Sequence, residues 1–209
     1  MTSGKFITLE GGEGSGKSTQ ARLLAERLGA GGHEVVLTRE PGGTPLAEKI
    51  RELVLAQKPQ SANAEFLLFA AARAEHLQAL IVPALNRGAF VVCDRFIDST
   101  RVYQGVVGGV DGGLIAELER RTVVPHMPAL TLIVDIDPAV GLARAAGRGE
   151  LTRYDSARSE THAALRHGFL AIAQTEPDRC VVIDGRRDIQ AVERDVWQAV
   201  RTRVLDKVG

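Results

Sequence analysis

Residues 9–20 read LEGGEGSGKSTQ, and this stretch restricts the fold more than any other in the 209-residue chain. Gly11-x-x-x-x-Gly16-Lys17-Ser18 follows the apolar run FITLE (6–10) and opens a helical pattern. A glycine-rich turn in that context aims backbone N–H groups inward at the positive end of a helix, which makes a cradle for phosphate. Gly11, Gly14 and Gly16 permit the tight turn. Gly12, Glu13, Ser15 and Thr19 complete the loop and the first helical turn. Lys17 reaches the outer phosphates as a point charge, and Ser18 offers its hydroxyl to a magnesium ion. A dinucleotide loop fits worse, because Lys17-Ser18 has no task there and G-x-G-x-x-G is not spelled. Glu13 is the odd residue: a negative charge beside a site for anions.

Four further β-branched runs follow: EVVLT (34–38), FVVCD (90–94), LTLIVDI (130–136) and CVVID (180–184). Helical patterns cover 17–29, 45–57, 63–87, 111–123, 138–147, 156–175 and 188–206, with Pro83 expected to bend or break the third. The alternation predicts an α/β fold: a five-stranded parallel sheet flanked by helices on both faces. No repeat or low-complexity linker divides the chain, so one domain, 1–209, is expected. Its least regular stretch, 144–160, is charged and glycine-containing; it suits a flap over a site, or an ordinary solvated loop. Lys+Arg equals Asp+Glu at 26 each. Without a global basic field, neither a nucleic-acid polymer nor a membrane surface is an expected partner, and any bound anion must be held locally. Cys93 and Cys180 sit in apolar runs, with neither zinc spacing nor a disulfide framework. No signal peptide and no run of membrane-spanning length is expected, so the default compartment is the cytoplasm.

Ligands of open α/β sheets bind beyond the carboxyl ends of the strands. Glu10, Arg39, Asp94 and Arg95 all fall at such ends. Asp94, closing an apolar strand, is where a magnesium-orienting carboxylate belongs, although Asp94-Arg95 also reads as a structural ion pair. No Asn-Lys-x-Asp follows for guanine, which counts against a GTPase. In AEFLLFAAARAEHLQAL (64–80), Phe66, Phe69, Arg73 and Leu77 share one helix face. Phe69 could stack on a base while Arg73 donates to its carbonyl; alternatively, Arg73 pairs with a nearby carboxylate.

LEGGEGSGKST, TREPGGTPLAEKIR, LLFAAARAEH, DRFIDSTRVYQG and RAAGRGE occur in an order and at spacings that resemble the bacterial thymidylate kinases, from Phe6 to the last helix. The resemblance implies a P-loop nucleotide-kinase architecture, ATP and dTMP as substrates, magnesium as cofactor, and a homodimer through long helices. LQALIVPAL is compatible with that interface and equally with core.

Residue by residue, the resemblance puts Glu10 near the deoxyribose 3′-hydroxyl, and Arg39, Arg51 and Arg95 on the dTMP phosphate. Phe69 lies on thymine with Arg73 at its O4. Ser99 and Gln104 line the base pocket, and Tyr103 crowds the sugar 2′ position; unaided, Tyr103 reads as a packing aromatic. Some members carry a catalytic arginine in the phosphate loop, where this chain has Glu13. Others supply it from the flap: Arg153 stands in the expected place, Arg148 is next, and Arg144 lies along the adenine. The flap departs from the family pattern at Thr152-Arg153-Tyr154-Asp155, and the helix after it has Thr161 and His162 where an aromatic pair is common. Val102 replaces the usual Ala. His76, His162 and His167 read as helix-surface or structural. The competing activities are a deoxynucleoside kinase, which has little use for three arginines converging on a phosphate, and a nucleotide-binding switch.

Overall fold

The computed structural model describes residues 4–57, 59–147 and 158–206. Five parallel strands form one sheet: β1 (Lys5–Glu10), β2 (Val35–Arg39), β3 (Phe90–Asp94), β4 (Leu130–Asp135) and β5 (Cys180–Asp184), in the order β2-β3-β1-β4-β5. The expected strands therefore form, with ends shifted by a residue or so. β1, β3 and β4 are buried almost throughout, as parallel strands covered on both faces must be. The outer strands are less covered: Leu37 on β2 and Val182 on β5 are 48% and 44% exposed.

One face is covered by α1 (Lys17–Ala30) and α9 (Ile189–Val200), whose Leu24, Leu28, Val192 and Val196 pack on Ile7, Leu9 and Leu132. The other face is split. α3 (Ala62–His76), a π-helical turn Leu77–Ile81 and α4 (Val82–Asn86) run on as one helical stretch that seats Leu77, Ile81 and Ala84 against Phe6, Val91 and Phe96. Beside it, Val102 packs with Leu165 and Phe169 of α8 (Ser159–Thr175) on Ile133. α2 (Pro45–Ala56) packs against α3; its N-cap is Thr44, whose hydroxyl accepts from Ala47 N, and Pro45 opens the first turn.

Pro83 neither breaks the helical stretch nor stops it. The ladder widens just before it, with Val82 N–H bonding to Leu77 O five residues back, and the helix continues to Asn86. The stretch Ala62–Asn86 is long and apolar enough, by length and composition, to cross a membrane, which corrects the expectation that no segment is. Here one side of it packs on the sheet, with Leu77, Ile81 and Ala84 of LQALIVPAL fully buried, while Gln78, Ala79 and Pro83 of the same run are exposed.

A second correction concerns residues 97–107, for which no helix is expected. They form α5 (Ile97–Thr100) followed by a π-helical segment, Arg101–Val107. Their β-branched content disfavours helix, and packing against α8 overrides it. Before β4 comes α6 (Gly112–Thr122), and after it α7 (Pro138–Ala146).

Candidate active site

The strand register fixes the rim. Asp94 pairs with Leu9 on one side and Arg39 on the other, so Glu10, Arg39, Asp94 and Arg95 emerge together at the carboxyl edge of the sheet, as expected. The phosphate loop leaves the same edge between β1 and α1. Gly14 shows why the loop needs glycine: φ is +65°, and a Cβ there would lie 1.8 Å from Gly141 O. Lys17 Nζ donates to Gly12 O at 3.0 Å, bracing the loop from within. Burial and the charge of Arg95 press its pKa down, while Glu13, Asp94 and Glu10 pull the other way.

Ser18 Oγ donates to Asp94 Oδ2, while Asp94 Oδ1 is buried without a protein partner. A carboxylate oxygen left over at the mouth of a phosphate loop, beside a hydroxyl, fits a magnesium ion. Among the described residues no group of three or more His, Cys, Asp or Glu is arranged to hold a metal ion. Magnesium takes one or two protein ligands and leaves its other positions to phosphates and water, so one hydroxyl beside one carboxylate is a sufficient protein contribution.

Glu13 is not a misfit. Its Oε1 accepts from Arg95 Nη2 at 2.7 Å and from Tyr103 OH at 2.8 Å. Burial works to raise its pKa, but Arg95, Lys17 and the Tyr103 hydroxyl outweigh it and hold the carboxyl at about 2. The charge that stands out in the sequence is the counter-ion of Arg95. Arg95 adopts φ +70°, a conformation costly for a residue with a side chain. Its backbone N–H bonds to Leu9 O, and Nη1 reaches Gly11 O and Ser99 Oγ at 3.3 and 3.2 Å, so main chain and side chain together hold it there.

These groups open onto a cavity of about 260 Å3. Lys17, Arg39, Arg51, Arg73 and Arg95 line it against Glu13, Glu40 and Asp94, so five cations face three carboxylates in a chain of zero net charge. Phe69, Ser99, Tyr103 and Gln104 also line it, with Leu55 and Phe96. Arg39 is bound to Glu48 at 2.9 and 3.1 Å, and Arg51 Nη1 donates to Pro41 O at 3.0 Å. Gln104 Nε2 donates to Glu65 at 2.9 Å. Arg73 pairs with buried Glu40 at 2.7 Å, which is one of the two descriptions open in the sequence, and it also lines the cavity.

Glu10 lies elsewhere. It is fully buried and is not part of the cavity lining. Its Oε1 accepts from the backbone N–H of Phe96 and Ser99 at 2.8 and 3.2 Å, and its Oε2 from Ser99 Oγ at 2.6 Å, so it ties down the start of α5. Arg144 sits outside the cavity, donating to the carbonyls of Gly185 and Arg186. Arg148 and Arg153 lie outside the described residues. Of the histidines, His76 and His162 are buried and His167 is exposed. Sequence reasoning assigned no role to Glu40, although a buried arginine on an apolar helix face requires such an acceptor.

A thymidylate kinase family profile matches residues 9–196. The chain belongs to the thymidylate kinase family. It is 51% identical over 206 residues to the thymidylate kinase of Caulobacter vibrioides, covering 98% of this chain and 99% of that one. It is 52% identical to that of Nitrobacter winogradskyi, covering 97% and 90%. The crystal structure of thymidylate kinase from Ehrlichia chaffeensis superimposes with a TM-score of 0.79 at 39% identity, over 95% of this chain and 99% of that one. Membership makes the chain a nucleotide kinase, a transferase of phosphoryl groups. It accounts for a phosphate loop and an arginine-lined cavity meeting on one rim.

Proposed function

We propose that this chain phosphorylates dTMP to dTDP with the γ-phosphate of ATP, in dTTP synthesis. The supporting observation is one cavity in which the phosphate loop meets three arginines and an aromatic-guanidinium pair. Phosphoryl transfer needs in-line positioning and compensation of charge, with little covalent work by the protein.

In this reading Gly11 to Thr19 hold the ATP phosphates, Lys17 compensates their outer charge, and Arg144 lies along the adenine. Arg39, Arg51 and Arg95 bind the dTMP phosphate. Phe69 stacks on thymine, Arg73 donates to O4, and Ser99 and Gln104 fill the base pocket. Tyr103 crowds the 2′ position, with its hydroxyl tied to Glu13, and Glu10 acts on the sugar side indirectly, by holding the start of α5 and Ser99. Ser18 and Asp94 hold magnesium, which neutralises charge on the phosphates when bound. The transferring group is met by a flap arginine within 144–160, Arg153 ahead of Arg148. The chain works as one domain in the cytoplasm, as a homodimer.

The test is a rate comparison with ATP, magnesium and a panel of acceptors. dTMP is expected to react fastest. Faster reaction of dUMP, CMP, AMP or free thymidine overturns the substrate assignment.

A further inference from the structure

Arg73 is held from behind by three groups in series. Its Nε donates to Glu40 Oε2 at 2.7 Å, and its Nη2 to Phe96 O at 3.2 Å. The other oxygen of Glu40 faces His76 Nδ1 at 3.1 Å. The far nitrogen of His76, Nε2, lies 2.7 Å from Thr38 Oγ1. All four side chains are buried: Thr38 9% exposed, Glu40 5%, Arg73 5% and His76 0%.

The chemistry of each link assigns the protons. A carboxylate only accepts, so His76 Nδ1 carries hydrogen toward Glu40. In the neutral ring, Nε2 then accepts from the Thr38 hydroxyl. The loop after β2 is shaped around this pair. Gly43 has φ +87°, and a Cβ there would stand 2.4 Å from His76 Nε2 and 2.5 Å from Thr38 Oγ1. Glu40 alone would satisfy Arg73 but could rotate; His76 on its second oxygen fixes the carboxylate at two points, and Phe96 O fixes a second edge of the guanidinium.

We propose that Glu40 and His76 are positioning residues for base selection: the series Thr38–His76–Glu40–Arg73 aims the guanidinium so that it meets a pyrimidine carbonyl and rejects an exocyclic amine in the same place. The inference rests on reading Arg73 as the residue that contacts the base. Arginine has donors only, so an acceptor carbonyl completes it, whereas an amine sets donor against donor. A guanidinium free to swing withdraws and lets water mediate, and the discrimination falls. The phosphate end of the site stays as it was.

The experiment compares dTMP with dCMP in three variants of the full chain. His76→Phe removes both ring nitrogens; it is expected to raise the KM for dTMP and lower the dTMP-over-dCMP preference in kcat/KM by about tenfold each, with a smaller effect on kcat. His76→Asn keeps an amide N–H near the place of Nδ1 and restores most of the preference. Thr38→Val, nearly the same volume, gives a smaller shift in the same direction and serves if His76→Phe does not fold. A looser core alone would not separate the two bases. Arg73→Met is the control. If it leaves the preference intact, the reading of Arg73 fails, and this inference with it. If Arg73→Met lowers the preference and neither the His76 nor the Thr38 variant does, the relay alone is overturned.

Discussion

Glu10 and Glu13 lie three residues apart and end in opposite electrostatic states. Glu13 faces Arg95 and Lys17, so its carboxyl stays ionised down to about pH 2. Burial pushes the carboxyl of Glu10 up to about 8, with the nearby charge of Asp98 adding, against the pull of Ser99, Arg95 and the Phe96 N–H. In the unfolded chain both groups titrate near 4.5. Folded Glu10 therefore keeps a proton that unfolded Glu10 has released, and its contribution to stability falls as pH rises from about 4.5 through 8. Glu13 behaves oppositely: its contribution is present above 4.5 and is lost as pH falls toward about 2. Glu10→Gln has no proton to lose. Its melting temperature relative to the parent should improve steadily between about pH 5 and pH 8. A difference that stays flat across that range would show Glu10 ionised throughout.

At the scale of elements, the acceptor side of the site depends on a helical segment the sequence does not announce. Tyr103 and Gln104 stand on the π-helical segment 101–107, and α8 packs along it, most tightly at one point. A Cβ at Gly168 of α8 would lie 3.0 and 3.2 Å from the two methyls of Val102. Gly168→Ala gains about 1 kcal/mol of helix propensity but overpacks fully buried Val102 by about 1–3 kcal/mol, so a net loss is expected. Val102→Ala makes room for the new methyl, so the double variant should lose less than the sum of the two single changes, by about 0.5–3 kcal/mol. Denaturant melts of the four proteins measure this. Strict additivity would mean that α8 and the segment shift apart without coupling. The departure at Val102 noted in the sequence thus has a structural partner, and α8 does not need the aromatic pair at Thr161 and His162 to pack: Leu165 and Phe169 fill that interface.

For the whole molecule, zero net charge conceals an uneven distribution: five cations line the cavity, Arg101 and Arg179 pair with buried Asp98, and others form surface pairs such as Arg22–Glu26 and Arg87–Glu34. Such exposed pairs contribute little to stability. Exposed apolar side chains occur on several elements, and four of them lie on neighbouring ones. Leu67 on α3, Val106 and Val107 on the π-helical segment, and Leu114 on α6 are 51%, 60%, 39% and 36% exposed, around a small core of Phe66, Val110 and Ile115. We assign this apolar face to a second copy in the proposed homodimer. Sedimentation should give twice the 22.4 kDa chain mass, and Leu67→Asp with Val106→Asp should shift it toward the single chain. A parent that sediments at 22.4 kDa at assay concentrations would remove the dimer from the proposed function.

The sequence by itself determined the parallel sheet, the phosphate loop and the rim on which Glu10, Arg39, Asp94 and Arg95 emerge. These depend on local signals: a glycine pattern between strand and helix, apolar runs, and strand ends that a parallel register must align. Tertiary structure alone decided where the side chains turned. Glu13 became a counter-ion because Arg95, 82 positions away, folds onto it, and Glu10 became buried because α5 closes over it. The chain from Thr38 through His76 and Glu40 to Arg73 joins two elements 33 to 38 residues apart. Periodicity assigns a residue to a face of its own element. Which charge it meets there is set by the neighbour that packs on that face, and burial then makes the meeting compulsory.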